Sequence, residues 1–119
     1  MALTAAQKTK MLDRIRTIAM ALPQATEELT WGDHVNFRVR NKIFCFPGEG
    51  DTLTVKCEPA EHEALLDDPR CSLPAYLTRG GWIRMDLTIG KIDWEEIREL
   101  VTTSYCLVAP KTLAKQVLA

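Results

Sequence analysis

The chain has 119 residues, with fifteen Lys and Arg against sixteen Asp and Glu for a formal net charge of −1. That length suits one domain over 1–119 that buries roughly two thirds of its unfolded surface, and a charge so near zero excludes a strong generic polyanion binder. A 46% hydrophobic share is ordinary for a globular protein, and the longest purely apolar run, residues 18–22, is far too short to cross a bilayer.

Thr4 and Gln7 have the spacing of a capping box. Leu12, Ile15, Ile18, Ala19 and Leu22 follow at helical intervals until Pro23 ends the helix. No apolar stretch with a cleavage site follows Lys8 and Lys10, so no secretory signal is expected. A strand over 27–31 leads through Trp31-Gly32-Asp33 into an alternating segment. There Val35, Phe37 and Val39 share one face, and His34, Asn36, Arg38 and Arg40 share the other. Asn41-Lys42 reads as a tight reversal, and Ile43-Phe44-Cys45-Phe46 as the returning strand. After a Pro-Gly turn over 47–51, Leu53, Val55 and Cys57 alternate with Thr52, Thr54 and Lys56.

Pro59 opens a short second helix, because a missing N–H costs nothing in a first turn. Its surroundings, Glu58, Glu61, Glu63, Asp67 and Asp68, form an acidic block in which His62 reads as a surface residue. Pro69 and Pro74 bracket a loop towards Tyr76, and Gly80-Gly81 releases a strand over 82–87. Asp93 is the N-cap of a third helix, with Glu96 placed to reach back and Ile97, Leu100, Val101, Ser104 and Val108 at helical spacing. Pro110 stops it, and 111–118 is a short helix or a fraying tail. These elements predict an α+β fold: one antiparallel sheet with the first and third helices on its apolar face.

Four cysteines, Cys45, Cys57, Cys71 and Cys106, lack any Cys-x-x-Cys pair and read as reduced thiols of a cytoplasmic protein. Enzyme signatures are missing: no Gly-rich phosphate loop, no Gly-x-Ser-x-Gly elbow, and no spacing that pairs a nucleophile with a base. The expectation is therefore no catalysis, no cofactor and no dedicated metal site.

The ordered series Leu22-Pro23, Ala25-Thr26-Glu27-Glu28, Trp31-Gly32-Asp33, Phe37-Arg38-Val39 and Lys42-Ile43-Phe44 resembles the MmcQ/YjbR family of small bacterial proteins. So does its continuation through Val55-Lys56-Cys57, Pro74-Ala75-Tyr76-Leu77, Trp82, Asp86-Leu87, Ser104-Tyr105 and Leu107-Val108-Ala109 with Lys111. Pro110 stands where the family pattern has a small residue. The resemblance implies a frataxin-like α+β architecture and a DNA-binding label attached to paired β-wings. The iron role associated with an acidic first helix in frataxin-like folds does not transfer, because Lys8, Lys10, Arg14 and Arg16 make this first helix basic.

On these residues the DNA-binding expectation becomes specific. Arg38, Arg40 and Lys42 on the hairpin, with Lys56 and Arg84 on later strands, would contact phosphates of double-stranded DNA. On the same face Trp31 and Trp82 would supply flat surfaces for stacking. So few contacts imply weak, salt-sensitive affinity, on the order of micromolar or poorer. The alternative is a binding module for a small anionic or planar ligand between Trp31, Trp82, Arg38 and Arg84. A protein-partner surface is a third option.

Overall fold

Thr4 starts the first helix as its spacing predicts: its hydroxyl accepts the Gln7 N–H at 3.1 Å and the Gln7 side chain accepts the Thr4 N–H at 2.8 Å. The structure, a computed structural model, describes residues 3–77 and 79–118. In chain order they form α1 (Ala5–Met20), β1 (Ala25–Thr30), β2 (His34–Val39), β3 (Lys42–Phe46), β4 (Thr52–Lys56), α2 (Pro59–Leu65), β5 (Cys71–Ser72), β6 (Trp82–Asp86), α3 (Trp94–Val108) and α4 (Lys111–Leu118). All six strands join one antiparallel sheet in the order β1-β2-β3-β4-β6-β5.

Alternation buries one face. Phe37, Val39, Leu53, Val55, Ile83 and Met85 point into the core, where Ile15 and Ala19 of α1 and Ile97, Val101 and Tyr105 of α3 meet them. Each such large apolar side chain contributes about 1.5–3 kcal/mol. Tyr105 packs edge-on against Phe44 and donates its hydroxyl to the Pro23 carbonyl at 2.7 Å, tying α3 to the α1–β1 turn. Gly50 lets the β3–β4 loop touch α1: a Cβ there would lie 2.1 Å from the Lys8 carbonyl oxygen.

Several expectations need correction. The hairpin reversal is Arg40-Asn41, both with positive φ, and Lys42 already pairs with Val39 in β3. Trp31 belongs to the turn after β1, not to the strand. The register of β2 on β3 slips between Phe37 and Arg38, so β3 carries a bulge that buries Phe44 and Cys45 in succession. Ser104 serves that bulge, donating to the Phe44 carbonyl at 2.6 Å and accepting the Lys56 N–H at 2.9 Å. Glu96 does not reach back to its N-cap; it binds Arg70 at 2.9 Å, while the Asp93 carboxylate alone accepts the Glu95 and Glu96 N–H groups. His62 is not a surface residue but a half-buried one whose Nε2 lies 2.9 Å from the Trp82 carbonyl oxygen. Of the two readings for 111–118 the short helix holds, with Leu113 buried.

Candidate functional site

The second face of the sheet carries the side chains that alternate with the core. On β1 these are Thr26, Glu28 and Thr30; on β2 they are His34, Asn36 and Arg38; on β4 and β6 they are Thr54, Lys56, Trp82 and Arg84. The register sets Asn36, Phe46, Thr54 and Arg84 in one row across β2, β3, β4 and β6.

Over the middle of that row the Pro74–Leu77 loop comes back across the sheet. Together with Trp31, Phe46 and Thr54 it lines a pocket of about 390 Å³. The lining is apolar and aromatic apart from Thr54, its one polar residue among those described. Trp31 is 76% exposed and Tyr76 94% exposed, so neither ring is there to fill a core. Trp82 lies behind Phe46, half-buried and edge-on to it at 6.0 Å between centroids. It backs the pocket without lining it.

Beside the pocket, Arg38 is held by neutral oxygens. Its Nε donates to Asn36 Oδ1 at 2.9 Å, Nη1 to Asn41 Oδ1 at 3.1 Å and Nη2 to Thr30 Oγ1 at 3.0 Å. Asn36 is completely buried and donates to the same Thr30 hydroxyl at 2.6 Å, which locks the cluster. A guanidinium has five N–H groups, so these three bonds leave two for a ligand, and among the described residues no carboxylate lies within salt-bridge distance of Arg38. Contrast Arg16 with Asp13 and Glu27, or Arg70 with Asp68 and Glu96, whose charges are spent within the fold.

The other candidate cations scatter. Arg40 sits in the turn and donates to Gln24 Oε1 at 2.7 Å, and Lys42 pairs with Val39, a residue of the core-facing set. Lys56 and Arg84 remain on the open face with Arg38. Arg84 also rims an open groove of about 630 Å³ at the strand ends, where Lys8, Asp33, His34, Glu49 and Asp51 mix both signs of charge. Lys8 there is already paired with Glu49 at 3.1 Å.

Of the residues that sequence reasoning put on one face, Arg38, Lys56, Trp82 and Arg84 share the open face of the sheet and Trp31 stands in the turn at its margin. That reasoning missed Phe46, Thr54, Asn36, Thr30 and the 74–77 loop. Thr54 was visible as a residue alternating with core positions, and Tyr76 as a large aromatic in a Pro-bounded loop; nothing local joins the two.

A family model, YjbR, matches residues 20–107. The chain belongs to the YjbR family. Its fold is similar to the crystal structure of the Deinococcus radiodurans protein DR2400, which carries the domain DUF419, with a TM-score of 0.74 at 21% identity over 92% of this chain and 89% of that one. No protein curated for function matches it. The YjbR match takes in β1 to β6 and nearly all of α3, so every residue of the pocket and of the Arg38 cluster lies inside the family's own segment.

Proposed function

We propose that this YjbR protein is a non-enzymatic binding protein whose open sheet face seats a flat group bearing negative charge. The observation that carries this is the apolar pocket under Trp31 and Tyr76 beside an arginine held only by neutral oxygens. The pocket walls favour a planar apolar body, and the spare Arg38 N–H groups favour an anion, with charge-assisted bonds about twice as strong as neutral ones. The non-catalytic part is supported by the thiols: burial pushes Cys45 far up and Cys57 to about 12, away from the reactive thiolate form. The His62 ring is occupied with the Trp82 carbonyl. A duplex contact drawing on all five cations is less well supported, because Arg40 and Lys42 lie off this face.

Naphthalene-1-sulfonate titrated into ¹⁵N-labelled protein tests the reading. Amide shifts should concentrate at Trp31, Asn36, Arg38, Thr54 and 75–77, and Arg38→Gln should weaken binding about tenfold. Shifts centred on the helical layer, or equal binding by Arg38→Gln, would sink it.

A further inference from the structure

We infer that the flat anion is one unit of an unpaired nucleotide strand, a step that rests on the pocket being a ligand site. Three cations stand on the open face, Arg38 on β2, Lys56 on β4 and Arg84 on β6. Among the described residues none of the three has a carboxylate within salt-bridge distance. The carboxylates of this face are Glu28 on the edge strand and Asp86, two residues along β6 from Arg84; the Thr88 N–H and hydroxyl that Asp86 accepts lower its pKa first and the Arg84 charge less, so Arg84 is partly balanced while Arg38 is not.

Position decides between a lone anion and a chain of them. β3 and β4 separate β2 from β6, and neighbouring strands lie about 4.8 Å apart. Arg84 shares its row with Asn36, so Arg38 stands two residues further along β2, and the two arginines rise from backbones about 16 Å apart. Phe46 and Thr54, the pocket floor, lie between them. A single small charge reaches one side of that span. A ligand with charge on both sides of a flat body meets both, and a nucleotide strand repeats that pattern.

The walls decide between paired and unpaired bases. Within a duplex each base is covered on both faces, leaving edges and phosphates for a protein to touch. A ring-lined pocket with exposed Trp31 and Tyr76 offers faces, which only a splayed base can use. Thr54 is the one polar residue of that lining among those described, and a hydroxyl can donate or accept, so the pocket carries little to discriminate between bases.

Tryptophan fluorescence of the full chain, titrated with a short oligothymidylate at several salt concentrations, tests this. The oligomer should bind at least about tenfold more tightly than thymidine monophosphate or a hairpin duplex, with a log–log salt slope near −2, about −0.7 per phosphate. Arg38→Gln and Arg84→Gln should each flatten the slope by about 0.7. Trp31→Ala should weaken binding about tenfold or more, and Arg98→Gln, on the exposed side of α3, should change nothing. A matching oligouridylate shows which sugar is preferred; tight binding of either supports an unpaired strand. Duplex or monophosphate binding as tight as the oligomer overturns the inference. If naphthalene-1-sulfonate binds at Trp31 and no oligomer does, the strand falls and the pocket stands; if neither binds, both fall.

Discussion

Trp31 is in a conformation its side chain does not favour. At φ +51 a bulky residue costs on the order of 1–3 kcal/mol. The other non-glycine residues with positive φ have compensation: Gln24 and Arg40 hydrogen-bond one another, and Asn41 accepts from Arg38. Trp31 has an edge contact with the exposed His34 ring, 6.4 Å between centroids, and lines the open pocket beside the 74–77 loop while staying 76% exposed. Strain held for so little burial accords with the binding role proposed for this ring. Trp31→Gly should therefore leave the melting temperature unchanged or raise it by a few degrees, because glycine adopts this φ freely, while binding at the pocket is lost. A fall of several degrees in a thermal melt would mean that the ring packs and that its exposure has been misjudged.

At the scale of elements, the β3 bulge and the loop over the sheet explain what could be read in advance. Arg38 was legible on the open face because β2 alternates strictly between Val35, Phe37, Val39 and polar residues. Ile43-Phe44-Cys45-Phe46 is apolar at every position, so a period of two carries no information about faces there, and neither the bulge nor the role of Phe46 could be read. The pocket was hidden because Pro74–Leu77 meets Trp31 only through tertiary structure. Helix limits were legible from caps, yet the partner of Glu96 was not, since Arg70 arrives from a different element. The bulge also makes Ser104 a point of vulnerability. Ser104→Ala leaves the Phe44 carbonyl and the Lys56 N–H without their buried partner, a loss of about 1–3 kcal/mol. Urea melts should show a lower midpoint with an unchanged m-value. A shift under about 0.5 kcal/mol would show that the two groups find other partners.

Across the whole molecule, three ion-pair groups join layers that hydrophobic contact alone would leave free to slide. Lys8 ties α1 to the β3–β4 loop, Arg16 ties α1 to β1, and Arg70 ties the segment before β5 to α3. The last is the most enclosed, with the Arg70 guanidinium donating to Asp68 at 2.8 Å and to Glu96 at 2.9 Å. The hydrogen bonds from Arg70 hold the Asp68 carboxyl down to about 2. An unfolded aspartate titrates near 3.9. The folded value lies below the unfolded one, so Asp68 stabilises the fold fully above about pH 4, and that contribution is lost as pH falls through about 2. Partial solvent exposure reduces it to the order of 1 kcal/mol. Asp68→Asn keeps the side-chain shape and removes the charge. Its melting temperature should lie a few degrees below wild type at pH 7, and the gap should close between pH 4 and pH 2. A gap that persists at pH 2 would assign the stabilisation to hydrogen-bond geometry instead of to the charge that clamps α3 to the sheet edge.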